Sequence, residues 1–450
     1  MQQSITSINW QDHKKFLGLA IPLIISYIST PLLGVADTAI MGRFPQAAYI
    51  GGVAVAVLIF NTLYWLLGFL RVSTSGFSAQ ACGRGDKQAI TLALVRPMLI
   101  ALLLGVLLVL LQWPIKTVAF ALLSPGETVG ALAGAYYDIR IWGAPFVLAN
   151  YVMNGWLLGM AKVKLSLFLQ VLMNVLNILL ALLLVIGFGL DADGVAAATL
   201  LAEMATACIG FVLIRNLHVV SLDGLTPAML FDPDAFLTMM KVNRDLFIRT
   251  ACLLTVYNLV AVYGIRYGDT VLAANAVLMQ LHFVMANLLG GIANAGTVFV
   301  GQAIGEKNRP LYRKTITLTA FWGGLTAALL ALSASFLGDP VIRLFTTIPE
   351  VRQAAQQYMP WIAVFPLTAF WGLQLYGIFT GATTAGPVRN SMLYSLAAYF
   401  ICLWAGVPGL GNHGVWLAFI VFSLGRSLFL WLYLPGLNKS VDRLSAAVKL

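Results

Sequence analysis

Two carboxylates and a handful of amides stand inside otherwise apolar stretches, and they set the chemistry this chain can do. Asp37 sits in PLIISYISTPLLGVADTAIMGR, residues 22–43, and Glu203 follows Thr199 by one helical turn. A carboxylate within a membrane span is costly and by default functional, because it needs a cavity, a partner or a proton. Asn150 and Asn154 are four apart, and Asn174 and Asn177 three apart, so each pair shares one helix face. An amide donates to a carboxylate and accepts from a carboxylic acid, so these side chains can partner Asp37 in either protonation state. Their oxygens can also ligate sodium, or they can simply join helices at about 1 kcal/mol per contact. Glu203 reads either as a second proton site or as a structural acid paired with a neighbouring amide.

A titrating Asp37 needs an element that responds to its charge. Pro22, Pro31 and Gly34 precede it in the same run. Proline removes a backbone donor and permits a kink where neighbouring helices satisfy the freed carbonyls. The first helix is therefore expected to bend near Pro22 as Asp37 gains or loses a proton. The second half of the chain carries Asn258, Asn275, Gln280, His282, Asn287, Asn294 and Gln374, but no intramembrane acid; Leu259 stands at the repeat position of Asp37. His282 is read as a neutral histidine hydrogen-bonded within the bundle. Arg71 and Arg426 are expected to snorkel toward the cytoplasmic face.

The elements that hold these residues have to be membrane spans. The 450-residue chain is 60% hydrophobic and 10% charged, far from the balance of a soluble domain. Twelve apolar runs, each able to cross roughly 30 Å of hydrocarbon as a helix, lie near 16–42, 50–76, 97–118, 132–160, 165–188, 194–215, 246–267, 272–298, 315–337, 356–381, 391–408 and 413–434. With the N-terminus inside, the cytoplasmic side takes most loop cations, among them Lys14, Arg84, Lys162, Arg249, Lys307 and Arg389. The opposite side takes Arg43, Lys116, Arg140, Arg266, Arg343 and Arg352. That asymmetry puts both termini in the cytoplasm. The net charge of +10 is dispersed between spans, which points to anionic lipid and not to nucleic acid. The four cysteines show no CxxC or metal-ligand spacing, so neither metal nor cofactor is expected. No cleavable signal is evident. No HExxH and no Ser/His/Asp constellation suggests an enzyme.

The halves repeat. Gln80-Ala81-Cys82-Gly83 and Gln302-Ala303-Ile304-Gly305 are each followed by a charged turn, and the same offset relates Gly42 to Gly264, Gly68 to Gly290, Gly155 to Gly377 and Gly159 to Gly381. Six spans per repeat is an even number, so both halves enter from the same side. The fold class expected is an all-α membrane protein of twelve transmembrane helices in two parallel six-helix repeats. An N-lobe, 1–220, carries helices 1–6; a cytoplasmic connector, 221–240, leads to a C-lobe, 241–450, with helices 7–12. The Gly-xxx-Gly patterns at 155/159 and 377/381 are read as close helix contacts.

With twelve spans, parallel repeats, the first-helix pattern IPLIISYISTPLLGVADTAIMGR and the paired QA-x-G ends, the chain resembles a MATE (multidrug and toxic compound extrusion) transporter, specifically the DinF-like branch. That branch relies on a first-helix aspartate, here Asp37. The branches with acids in the seventh or tenth helix fit less well, because residues 250–264 and 356–381 contain none. The resemblance implies export of amphipathic, often cationic drugs from a bacterial inner membrane, in exchange for protons or sodium, by rocking of two lobes. Asp37, Asn154 and Asn174 match N-lobe polar positions, Pro22 the helix bend, and Tyr137 an aromatic of the fourth helix. Asn177 and Thr199 join the candidate substrate or cation site, with Asp37 and Glu203 coupling the proton. Some members carry another acid where this chain has Ile178, which thins the partners of Asp37 and argues against a transferred sodium site. A monomeric proton-coupled antiporter is the expectation. The alternatives are a sodium-coupled exporter and a flippase for lipid-linked precursors. The flippase would need several cavity Arg or Lys for a pyrophosphate head, where the spans offer Arg71 and Arg426.

Overall fold

The computed structural model describes the backbone of residues 8–41, 47–221 and 223–446, and their side chains except at 27–41, 47 and 48. The described residues form helices and their connections. In order these are α1 (Trp10–Met41), α2 (Ala47–Leu67), α3 (Phe69–Arg84), α4 (Lys87–Leu110), α5 (Gln112–Leu123), α6 (Glu127–Arg140), a 3₁₀ turn (Ile141–Gly143) and α7 (Ala144–Gly159). Then come α8 (Val163–Ala181), a π turn (Leu182–Gly187), α9 (Ala192–Asn216), α10 (Pro227–Leu230), α11 (Pro233–Arg266), α12 (Asp269–Gly305), α13 (Arg309–Phe345) and α14 (Pro349–Gly381). α15 (Gly386–Leu410), α16 (Asn412–Trp431) and α17 (Leu434–Ala446) complete the chain.

Ten helical stretches among the described residues are long and apolar enough to cross a membrane. The remaining two of the twelve expected spans correspond to α1 and to the stretch 127–159, which the 3₁₀ turn interrupts and which carries Asn150 and Asn154. Large apolar side chains such as Phe336, Leu344 and Trp404 face outward. In water such a surface would drive association; in hydrocarbon it is the surface that lipid covers. The expected connector is itself largely helical, since α10 lies within it and α11 already begins at Pro233.

Two compact units divide the chain, one of residues 1–24 with 240–450 and one of 25–239. The boundary inside α1 has local causes. Phe16 stacks on Phe299 at 5.8 Å between ring centroids, and Lys314 Nζ lies 2.9 Å from Asp12 Oδ2. Gly291 approaches Ile24 so closely that a Cβ there would lie 2.5 Å from the Ile24 side chain. Beyond the boundary, Ser26 Oγ donates to Gln170 Oε1 of α8 at 2.5 Å. In the first-named unit α12 packs on α13 and α14, and α16 on α14 and α15; in the other, α3 and α4 pack on α7, α2 on α6, and α9 on α6, α7 and α8.

The glycine pairs make the tightest of these contacts, and they do so twice. A Cβ on Gly155 or Gly159 of α7 would collide with the carbonyl oxygens of Arg71 and Ser75 on α3. A Cβ on Gly377 or Gly381 of α14 would collide with those of Ala293 and Thr297 on α12. Each partner in the second set stands at the repeat offset from its counterpart in the first. Thr297 Oγ1 also donates to the Gly377 carbonyl at 2.9 Å. Gly290 is different, with nothing within 4 Å of an added Cβ.

Gly377→Ala should therefore lower stability by about 1–3 kcal/mol, the usual cost of overpacking. Gly290→Ala should be neutral or stabilise by a few tenths through helix propensity. Thermal midpoints of the two purified variants in detergent check the contrast. The Lys314 ammonium beside Asp12, ahead of the first span, holds its carboxyl below the usual value of 3.8. A depressed folded value means this contribution is complete above the ordinary carboxylate range and lost as pH falls through the folded value. Asp12→Asn should lower the midpoint slightly at neutral pH, by under about 1 kcal/mol for so exposed a pair. The gap from the parent should close only below about pH 4, as melts across a pH series will record.

Candidate functional site

The polar layer of the unit 25–239 is assembled where α6 breaks into α7. Arg140 is the last residue of α6, the 3₁₀ turn follows, and Pro145 opens α7, where its missing N–H costs nothing. This turn throws Arg140 inward. Its Nη1 lies 2.5 Å from Glu203 Oε2 on α9, with both side chains nearly buried. Its guanidinium also rests against the rings of Phe60 and Tyr64 on α2, 5.4 Å and 5.7 Å from their centroids. Gly143 makes the space, since a Cβ there would lie 2.7 Å from Glu203 Oε2.

Arg140 is thus no outer-loop cation, as the charge distribution suggested, and Glu203 is paired with it and not with an amide side chain. The signal was available: Arg140 falls inside the apolar run 132–160, and an arginine there needs an acid. Asn150 is the amide near Glu203, but its Nδ2 donates to the Glu203 backbone carbonyl at 3.0 Å.

The other candidates fall into separate groups. Asn154 Nδ2 donates to the Asn150 carbonyl at 2.9 Å, and its Oδ1 accepts from Ser166 Oγ of α8 at 2.8 Å. Ser166 is a partner that the sequence reading did not single out, because a lone serine in a span is unremarkable as a sequence signal. Asn177 and Thr199 come together across α8 and α9, with Nδ2 donating to Oγ1 at 2.9 Å. Thr199 in turn donates to the Val195 carbonyl. Buried Asn150 Oδ1 and Asn177 Oδ1 have no hydrogen-bond donor among the described residues. Asn174 is half-buried in α8, one turn before Asn177. Tyr137 is fully buried; its hydroxyl donates to the Gln112 carbonyl at 3.1 Å and its ring stacks on Phe60 at 5.2 Å. Pro22 is half-buried within α1, while the side chain of Asp37 lies outside the described residues.

The second half's amides form internal bonds instead. Asn275 and Asn412 exchange side-chain hydrogen bonds at 2.9 Å and 3.0 Å, and Trp416 Nε1 donates to Asn275 Oδ1. His282 Nε2 lies 3.2 Å from the Tyr257 hydroxyl, with Phe365, Phe419 and Phe283 packed edge-on around its ring. Asn258 and Gln280 are exposed. Asp245, just ahead of the expected seventh span, is a buried acid held by Arg389 and Arg244, each at 2.9 Å.

The chain has relatives among known proteins. The MatE family model matches it twice, at residues 22–183 and 246–404, once in each half. It is 37% identical over 419 residues to DNA damage-inducible protein F of Escherichia coli (strain K12), covering 93% of this chain and 91% of that protein. It is 25% identical to a probable multidrug resistance protein NorM of Rhizobium meliloti (strain 1021), covering 94% and 93%. Among solved structures, a MATE protein in the bent conformation superposes with a TM-score of 0.87 at 21% identity, over 97% of both chains. The straight conformation of a MATE protein superposes with a TM-score of 0.85 at 18% identity, over 96% of this chain and 97% of that one. At such identities these matches speak for the fold.

Removing one member of the Arg140–Glu203 pair leaves a buried charge alone. Arg140→Met should destabilise by about 3–5 kcal/mol, whereas Arg140→Met with Glu203→Leu should recover most of the loss. Thermal unfolding of the single and double variants in detergent measures the recovery.

Proposed function

This chain belongs to the MatE family of membrane transporters, and on that premise we propose that it exports amphipathic, often cationic drugs in exchange for protons. It is a multi-pass membrane protein, placed by this reading in a bacterial inner membrane with both termini cytoplasmic. The name of the NorM relative, a multidrug resistance protein, supports the substrate class. The observation that carries the coupling assignment is the Arg140–Glu203 ion pair. It accounts for Glu203 as a held charge, and supports assigning the transported proton to Asp37, the other intramembrane acid of the first half.

The mechanism follows from what a carboxylate within a membrane span does. Its charge is costly there without a partner, so it exchanges that charge for a proton taken from the outside. Protonation removes the negative charge that favours a cationic drug and changes what the amides Asn154, Asn174 and Asn177 can donate to. The first helix answers by bending near Pro22, the site loses its hold on the drug, and rocking of the lobes releases the proton inward. The donor-free oxygens of Asn150 and Asn177 favour one competing reading, sodium coupling, because amide oxygens suit that ion.

Vesicles holding the purified chain, loaded with ethidium and placed under separate proton and sodium gradients, decide the ion. Efflux should follow the pH gradient and ignore sodium at constant pH; sodium-driven efflux would overturn proton coupling. Asp37→Asn, a mimic of the protonated side chain, should reduce proton-driven efflux to the level of empty vesicles. The variant should still elute as a folded protein.

A further inference from the structure

Two arginines in the unit of residues 1–24 and 240–450 have no part in this exchange. Arg426, on α16, is 7% exposed. Its Cζ lies 5.7 Å from the ring centroid of Phe422, one turn nearer the start of the helix. The side chain thus runs back into the helix layer and not forward past Trp431, so the snorkelling expected of it does not occur. Arg249, read from the sequence as a cytoplasmic loop cation, lies within α11 with its Cζ 3.8 Å over the ring of Tyr376 on α14. Tyr376 stands one turn beyond Gly372 of α14, where an added Cβ would lie 3.1 Å from the backbone carbon of Arg426, so both arginines gather at the crossing of α14 and α16. Nearby, α14 and α16 are joined where the Gly372 N–H donates to Ser427 Oγ at 2.9 Å.

Neither guanidinium has a carboxylate or a hydrogen-bond acceptor among the described residues. Asp245, one turn before Arg249, has its Oδ1 engaged by Arg389 and Arg244. Two like charges gathered in a low-dielectric layer repel, and aromatic faces offset only part of the cost of burying them. The Arg140–Glu203 pair in the other unit shows what a merely structural arginine receives in this protein. Arg426 receives rings and a second cation instead.

We propose that Arg249 and Arg426 form a binding site for the oxyanion head of an amphiphile, a carboxylate, sulfonate or phosphodiester, whose apolar body lies beside Tyr376. A planar guanidinium presents fixed pairs of N–H donors that match two oxygens of one such head. A singly charged head balances one of the two cations. The assignment extends the exporter reading to anionic substrates but does not depend on the coupling ion.

The test is binding to the full-length chain in phosphatidylcholine nanodiscs, followed by fluorescence of dansyl sulfonate, with neutral dansyl amide as control. The sulfonate should bind saturably and about tenfold more tightly than the amide, the gain expected of a charge-assisted contact. Arg426→Gln and, independently, Arg249→Gln should each remove most of that preference without changing amide binding, while Arg426→Lys keeps part of it. Elution profile and melting point establish that each variant is folded, and either glutamine variant alone suffices if the other is not. Displacement of the sulfonate in nanodiscs containing phosphatidylglycerol assigns the head to a bilayer lipid; persistence assigns it to a transported anion. Equal binding of sulfonate and amide to the parent, or an unchanged preference in the folded glutamine variants, overturns the site. No gradient enters this measurement, so failure of drug export and failure of the anion site are told apart.

Discussion

Close approach of helix backbones is the constraint on which this structure depends. Lipid offers no hydrogen bonds and little hydrophobic drive between helices, so association rests on packing and on polar groups satisfied within the protein. Gly155 and Gly159 let α7 press onto the carbonyls of α3, and Gly377 and Gly381 let α14 press onto those of α12. The surfaces they meet are peptide groups. Arg71 and Ala293 can therefore occupy matched positions with unlike side chains, and Ser75 and Thr297 likewise, without loss of the contact. A repeat built this way tolerates divergence nearly everywhere except at the glycines.

That freedom has been used to give the two units different polar interiors. In the unit 25–239, Glu203 is held by Arg140 and its backbone carbonyl by Asn150, while Asn177 joins Thr199. In the other, amide meets amide at Asn275 and Asn412, His282 is enclosed by aromatic rings, and Arg426 lies against Phe422. Among the described residues the first interior pairs its acid with an arginine and leaves amide oxygens open, and the second holds a buried arginine among rings. The same helical frame thus carries different polar chemistry in its halves.

The polar groups of the first unit also bear on where a proton can act. A carboxylate already neutralised by a guanidinium, as Glu203 is by Arg140, has little to gain from protonation. Amides accept either protonation state by exchanging donor and acceptor roles. Asn154, satisfied by Ser166 and by its own helix, is held in position. Asn150 and Asn177 each keep an oxygen in reserve, so a change of charge in this layer has groups able to answer it.

Much of this was legible in the sequence, because a bilayer makes strong demands on local composition. Apolar runs of span length, loop cations and the matched Gly-xxx-Gly pairs each follow from a local rule, so the helical class, the span number and the repeat could be read directly. Pairings could not. Whether Arg140 belongs to a loop or to Glu203, 63 residues away, depends on a 3₁₀ turn that aims one side chain, and no periodicity encodes that aim. Whether Arg426 reaches for the membrane surface or turns back over Phe422 depends on which helices crowd α16. The division of α1 near Ile24 likewise needs Phe299, Lys314 and Gly291 in place, all supplied by distant parts of the chain. Composition and spacing act through the chain's own neighbourhood and so are written in sequence; the partner of a buried charge is chosen by packing between distant segments, and only the tertiary structure decides it.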